Sequence, residues 1–531
     1  MSNILRKRHP LVTQIFERAK SPQNILLVPV DYAKSTHKVI FINGNGDELR
    51  QPFDVHNNAA GLEYLTGAIE RTCKKRKIPV RNIIIGGEGT PCFARNFITG
   101  LCDRKHLLLS IHAKKAKEMR ENEQASTDKL DLIGIGKCLM QGHGTPLSSH
   151  RFEPQRIREF DTKDKPRRTK GNRKERPSTN HNKIPITADS YGKLFADQDS
   201  LQILTRHRRR LVQERTACTN RMRTVADQLF PGFLDPGSPV CAFTKASLHF
   251  MSEPGFCAQQ LIKSKPNALA RRLKEYGTRE PQSSAQELIR MGKDALPADP
   301  QLIPSLQQSL QAQVIHYQGI NSAIAQLDQR TEEALVRSPA SLLMSLSGIG
   351  STLAAGIYAE LGASLLLYPM KDLCSYSGIV PRVKQSGGPD KPARTGRVRK
   401  GCNRILKNYL VQAAAKMRDF GPEGLQEAYH QLASNGQHAD FIIARRLLRI
   451  FKYMMLSQSI YLPARLRKWD AQMAEPLKEY LSEVREKIAA KWSRAQLAKE
   501  AMDEANPLGN WWKTRTEAFQ SLLGIELDPV K

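Results

Sequence analysis

The sequence predicts an α/β domain at the N-terminal end, then coiled-coil helices, then a mainly α C-terminal region. Three observations predict it. Between residues 25 and 111, short apolar runs alternate with turn signals and helical stretches, the order of an α/β domain. Two heptad patterns follow, beginning at Leu201 and Leu306. Beyond residue 336, apolar residues recur at helical spacing between glycine breaks.

The first run, Ile25 to Asp31 (ILLVPVD), has the continuous apolarity of a buried strand. Pro29 lacks a ladder donor, which predicts an edge position or a bulge. Lys38 to Asn43 forms a second strand, and Gly44-Asn45-Gly46-Asp47 supplies hairpin-turn chemistry. A third run, Asn82 to Ile85, ends at Gly86-Gly87-Glu88, and a fourth, His106 to Ile111, leads into a basic helix. Acidic residues therefore close two strands, Asp31 the first and Glu88 the third. Asp128 and Asp131 follow, three apart, so that on a helix they share one face. Taken singly, each is more simply a cap or a surface charge; Asp128 could cap the helix that carries Asp131. Together the four have the character of an Mg²⁺ site, because hard cations take oxygen ligands and two such ions can clamp both oxygens of a phosphodiester displacement. Paired carboxylates also suit glycoside hydrolysis, but nothing else in the chain points to a sugar.

Composition narrows the partners. The 531 residues hold 82 Lys and Arg against 52 Asp and Glu, a net charge of +30, the balance expected of a chain that neutralises phosphates. A generally basic protein or one bound to an anionic membrane is the alternative. No apolar run of about 18 residues could span a bilayer, and the start MSNILRKRHP leads into no signal-peptide core. The nine cysteines include no C-x-x-C pair, which argues against a zinc site and fits a reducing compartment. The expectation is a cytoplasmic protein with no membrane role, associated with a prokaryotic nucleoid.

Residues 151–183 carry twelve Lys and Arg against five Asp and Glu with few apolar residues, the composition of a linker that is solvated or ordered by nucleic acid. The first heptad places Leu204, Leu211, Cys218 and Val225 in one column and Leu201, Met222 and Leu229 in the other, with Arg208 and Arg215 interrupting the seam before Pro231-Gly232 ends it. A section rich in Pro and Ser is read as loops. The second heptad runs through Leu306, Leu310, Tyr317, Ile320, Ile324 and Leu327. Antiparallel pairing within the chain is the simplest arrangement of the two; pairing between subunits is the other.

The stretch from Leu346 to Asn403 concentrates the remaining chemistry. Gly348-Ile349-Gly350 resembles a helix-hairpin-helix turn, whose backbone N–H groups can approach a phosphate; a plain helix-to-helix turn is the alternative. Lys384-Gln385-Ser386-Gly387-Gly388 precedes a basic run containing Arg394, Arg397, Arg399, Lys400 and Arg404. A serine beside two glycines can be approached closely, and with cations around it the visitor expected is a phosphodiester. Either Ser386 attacks phosphorus, the arginines stabilising the charge that develops, or this is an ordinary loop with a solvated basic face. No local base is visible. Phe441 to Pro463 reads as an amphipathic helix with Arg445, Arg446, Arg449 and Lys452 outside. The tail from Ala464 is helical, and Trp511 and Trp512 are expected to pack.

The chain resembles the DEDD-type insertion-sequence transposases, a family also described as RNA-guided bridge recombinases and related to the pilin-gene invertases. The match rests on VDYAKSTH at Val30 to His37, GGEGT at Gly86 to Thr90, TDKLD at Thr127 to Asp131, RHRRRLVQERT at Arg206 to Thr216, and Leu346 to Asn403 as a whole. The resemblance implies a RuvC-like domain of the ribonuclease H fold, with Asp31, Glu88, Asp128 and Asp131 as Mg²⁺ ligands and catalytic groups. It also implies that Ser386 forms a transient covalent link to DNA, and that subunits assemble as a dimer of dimers in which the acidic site of one meets the serine of another. Donor and target DNA are implied partners, with specificity delegated to a structured noncoding bridge RNA. Nucleic-acid contacts are expected at Arg208, Arg209, Gly348, Gly350, Lys384, Gly387, Arg397, Arg399, Lys400 and Asn403. The chain departs from the family pattern at Cys402, which separates Gly401 from Asn403, at Pro29, and in the basic segment 151–183. The expected domains are 1–145 (RuvC-like), 146–200 (basic linker), 201–335 (coiled coil with an intervening loop-rich segment), 336–465 (serine-bearing) and 466–531 (helical extension).

Overall fold

A computed structural model describes residues 10–89, 92–104, 106–120, 128–147, 188–362, 369–384, 394–398, 402–463 and 474–523, together with Leu365 and Leu466. The chain divides into two compact units whose sequence boundary falls between Gly192 and Lys193. The basic segment 151–183 lies outside the described residues.

The N-terminal unit is a mixed sheet between helices. Strands β1 (Leu26–Asp31), β2 (Thr36–Asn43), β3 (Glu48–His56), β4 (Ile83–Glu88), β5 (Leu107–Ile111) and β6 (Thr145–Leu147) stand in the order β3-β2-β1-β4-β5-β6. β1 runs antiparallel to β2 and parallel to β4, β4 and β5 are parallel, and β6 returns antiparallel. Helices α1 (Pro10–Ala19), α2 (Ala59–Arg76), α3 (Arg95–Asp103), α4 (Ala113–Glu118) and α5 (Asp128–Gln141) complete it. The period-2 alternation of strand side chains divides the core in two. Leu26, Val28 and Val30 pack with Leu65 and Ile69 of α2 and Phe97 and Leu101 of α3. Ile25 and Leu27 pack with Val12 and Ile15 of α1 and Ile135 and Leu139 of α5. A strand covered on both faces has no polar side, which is why β1 reads as an unbroken apolar run.

Pro29 corrects one expectation. β1 is an interior strand, with β2 on one side and β4 on the other. The pairing of β1 with β2 keeps one register, Leu27 with Ile42 and Val30 with Val39, and skips the residues between, so the missing donor is absorbed by a gap in the ladder rather than by an edge or a bulge. The register shifts of this sheet lie in the β2–β3 pair, around Phe41.

In the C-terminal unit the two heptads occupy α6 (Ala188–Leu229) and α11 (Ile303–Arg337). Contacts from Arg208 to Asp328, from Arg215 to Asn321 and from Cys218 to the carbonyl of Gln313 fix an antiparallel pair. The section between is not loop-rich, as its composition suggested. It forms α7 (Lys245–Ser252), α8 (Ala258–Leu261), α9 (Pro266–Glu275) and α10 (Pro281–Asp294). Pro266 and Pro281 sit in the first turn of their helices, where a missing N–H costs no hydrogen bond, so they start structure instead of breaking it. Phe230, Phe233, Phe250 and Phe256 join these helices to the α6–α11 pair in one core.

The remaining elements are α12 (Ser351–Leu361), α13 (Met370–Tyr376), the strand pair β7 (Pro381–Lys384) and β8 (Arg394–Val398), α14 (Arg404–Phe420), α15 (Glu423–Ser434), α16 (Ala439–Ser457), α17 (Ala474–Ala489), α18 (Ala495–Ala501) and α19 (Pro507–Leu523). α16 buries Ile443, Leu447, Leu448 and Phe451 as its amphipathic pattern requires, and ends at a left-handed Gln458, before Pro463. The tail belongs to the same core: Leu477, Leu481, Trp511 and Trp512 are buried with Leu343, Tyr358 and Leu447.

Candidate active site

Asp31 and Glu88 end neighbouring parallel strands. The register pairs Val30 with Gly87, so the next residue on each strand is an acid, and both are partly exposed at the carboxyl edge of the sheet. In open α/β sheets this edge is where ligands are held. The glycines before Glu88 serve close packing: a Cβ at Gly87 would stand 2.3 Å from the Tyr32 ring and 2.6 Å from the Val30 carbonyl oxygen, and one at Gly86 would stand 2.5 Å from Leu139 of α5. α5 begins at Asp128, carries Asp131 one turn later and packs along β1, β4 and β5. The Asp131 carboxylate is held in an ion pair by Arg120, both side chains being mostly buried. The Asp128 side chain lies outside the described residues, and among the described residues no three metal-ligating side chains cluster. The two carboxylates at the strand ends, Asp31 and Glu88, have the donor chemistry that suits a hard cation.

The sequence reading missed His37. It is fully buried, its Nδ1 accepts the Ala33 N–H at 3.1 Å, and its ring packs edge-on against Tyr32 and Phe97, so it holds the loop that follows Asp31. Asn57 secures the same loop through the Lys34 carbonyl at 3.0 Å. Burial lowers the pKa of His37 and also of His106. Both stay neutral in the folded unit at a pH where the unfolded chain, near about 6.5, gains a proton. Stability is therefore complete above that value and declines as pH falls through it. The urea midpoint of the N-terminal unit is expected to drop between pH 7.5 and 5.5, above most carboxylate titration, and His37→Asn, which keeps an acceptor for Ala33, is expected to flatten the decline.

In the C-terminal unit the strands β7 and β8 pair Lys384 with Arg394, and the chain from 385 to 393, which carries Ser386 and Gly387, joins them. Ser386, Gly387, Arg399 and Lys400 lie outside the described residues, as do the side chains of Lys384 and Arg397. Gly348 adopts φ +84°, and a Cβ there would stand 2.8 Å from Met417 of α14, so the turn packs down on that helix. Gly350 is the N-cap of α12, without a side-chain cap, and faces open space. The start of α12 already has a carboxylate beside it: buried Glu332 accepts hydrogen bonds from Ser351 Oγ at 3.0 Å and from Ser493. A phosphate approaching this helix end meets that charge as well as the helix dipole. Lys491 Nζ donates to the carbonyls of Met344 at 2.6 Å and Leu346 at 3.2 Å, which ties the tail to the glycine turn; burial pushes its pKa down to about 8.

Two residues expected to touch nucleic acid are engaged inside the protein. Arg208 bonds both oxygens of Asp328 across the α6–α11 seam. Arg209 is partly exposed on the same helix. Asn403 caps α14, its Oδ1 accepting from the N–H groups of Ile405 at 3.1 Å and Leu406 at 3.0 Å, while its Nδ2 donates to Glu360 Oε2 at 2.7 Å and to Tyr376 Oη at 2.8 Å. Glu360, whose side chain is wholly buried, also accepts from Arg206 Nε at 2.7 Å and Nη2 at 3.0 Å. The one signal of it in the sequence is a single acid inside the apolar helix STLAAGIYAEL.

Residues 340–430 match a family model described as Transposase IS116/IS110/IS902 family. No curated protein matches the chain. The matched segment spans the glycine turn, α12, α13, the β7–β8 pair, α14 and most of α15. Among the described residues no helix is long and apolar enough to cross a membrane.

Proposed function

We propose, from the match of residues 340–430 to the model of the IS116/IS110/IS902 transposase family, that the protein is an RNA-guided recombinase that cuts and rejoins donor and target DNA through Ser386. The match across the serine-bearing stretch is the observation that carries this reading. Ser386 Oγ would form an ester with the phosphorus of one strand as the bond from phosphorus to the deoxyribose oxygen breaks, and the serine proton would leave with that oxygen. The hydroxyl of the exchanging strand would then attack the serine ester, restore a phosphodiester and return the proton to Ser386. One phosphoester bond is exchanged for another at each step, so no high-energy co-reactant is needed.

The mixed sheet, with Asp31 and Glu88 ending adjacent parallel strands and α5 packed along them, supports reading the N-terminal unit as a RuvC-like domain of the ribonuclease H fold. Asp31, Glu88, Asp128 and Asp131 would hold Mg²⁺, which when bound neutralises charge on phosphoryl oxygens. The acids of one subunit would serve the serine of another in a dimer of dimers. The net charge of +30 and the basic segment 151–183 support binding of a structured guide RNA as well as DNA.

The test is a suicide-substrate assay with full-length protein, Mg²⁺, RNA transcribed from the DNA flanking its gene, and nicked, labelled donor and target duplexes. A protein–DNA adduct present in wild type and absent in Ser386→Ala is expected. Cleaved ends that persist in Ser386→Ala with no adduct in either protein would replace this reading with a hydrolytic, metal-dependent nuclease.

A further inference from the structure

The two residues that flank the stretch carrying Ser386 are bonded to each other, and one of them also bonds a buried carboxylate. Tyr376, the last residue of α13, precedes β7, and Asn403, the N-cap of α14, follows β8. The two are joined by a backbone hydrogen bond, Asn403 N to Tyr376 O at 2.8 Å, and by the bond from Asn403 Nδ2 to Tyr376 Oη. Asn403 Nδ2 also donates to Glu360, which the Arg206 guanidinium of α6 grips through both oxygens. Side-chain amides of Gln198 and Gln202, also on α6, donate to the Ala359 carbonyl next to Glu360 at 3.3 and 3.1 Å. The base of the β7–β8 pair is thus fixed to α12 and, through Arg206, to α6.

Capping alone does not account for asparagine at 403. Aspartate, serine or threonine cap a helix as well, but each would lose the contact made by the amide: aspartate has no donor and would set a second carboxylate beside Glu360, and the hydroxyl residues are shorter. Only an amide of this length accepts from the α14 N–H groups with one atom and donates to a carboxylate with the other. A planar guanidinium forked onto that carboxylate then sets its orientation, which an apolar pair could not do.

We infer that Glu360 is a positioning residue for the serine-bearing segment, acting through Asn403 and oriented by Arg206. The inference rests on Ser386 as the nucleophile. The glutamate touches no reacting atom; through Asn403 it fixes the start of α14 against the end of α13, the two points that flank the serine-bearing stretch. A small misplacement of a reacting group costs on the order of a hundredfold in rate.

The test exchanges donor and acceptor. Asn403→Asp keeps the cap on α14 but removes the amide and opposes Glu360 with a like charge. In the suicide-substrate assay its rate of adduct formation is expected to fall about 100-fold, with helix content and affinity for the duplex retained. Adding Glu360→Gln to Asn403→Asp restores a donor facing an acceptor and leaves an oxygen for Arg206, and is expected to bring the rate back to within about tenfold of wild type. Amide exchange across residues 381–398 should quicken in the single variant and slow again in the double. An adduct rate in Asn403→Asp equal to wild type, or a loss that the double variant does not recover, would overturn the positioning role. Absence of an adduct in wild type itself would instead remove the nucleophile, and the positioning role with it, so the two failures are read from different proteins.

Discussion

Replacing Arg206 with methionine is expected to destabilise the C-terminal unit by about 3 kcal/mol, the low end of the cost of leaving a buried charge without its partner. The asymmetry of the pair sets this size. The Arg206 side chain is 43% exposed, so it can return to water when its partner is removed; the Glu360 side chain has no exposure and cannot. Loss of the arginine leaves that carboxylate with the Asn403 amide as its donor, so Arg206→Met should cost more than Glu360→Leu. The double variant Arg206→Met, Glu360→Leu removes both charges and should recover most of the loss, because two apolar groups need no compensation. Urea unfolding followed by amide exchange in α12 and α14 measures all three. Equal costs for the two single changes would mean that the carboxylate finds water or another cation when the guanidinium is gone.

That a buried acid organises this region was only faintly legible in the sequence. Glu360 stands 154 residues from Arg206 and 43 from Asn403, and no local rule links positions so far apart. The same separation explains Arg208 and Arg215, which break the heptad when read along one helix. Across the seam they meet Asp328 and Asn321, 120 and 106 residues away, and so are part of the pairing. What was legible is what local physics determines. Asp31 and Glu88 stood out because turn residues end apolar runs beside them, and parallel pairing then brings the two strand ends together. The antiparallel pairing of the heptads and the burial of Trp511 and Trp512 followed from apolar periodicity. Proline misled twice for one reason: its missing donor matters only where a hydrogen bond is due. At Pro29 the ladder skips the position, and at Pro266 and Pro281 the first helical turn has no bond to lose.

The largest effect on activity is expected at Glu88. Glu88→Gln preserves the length and shape of the side chain at the end of β4 and removes its charge, so the strand pairing with β1 and β5 should survive and the melting temperature should stay near that of wild type. If the acids hold Mg²⁺ for strand cleavage, adduct formation should fall by more than about 100-fold, the upper end of what even outer-shell changes cost at metal sites. DNA affinity, which we ascribe to the chain's net charge of +30, should remain. Asp131→Asn provides the graded comparison. Its carboxylate is already paired with Arg120, so the substitution should both weaken the acidic group and release a mostly buried guanidinium, giving a loss of activity accompanied by a loss of stability. Activity lost without stability at Glu88, and both lost together at Asp131, would separate a ligand at the sheet edge from one that is also structural. Full activity in Glu88→Gln would make the strand-end acids surface charge, and would leave the basic residues of the C-terminal unit as the parts that meet DNA.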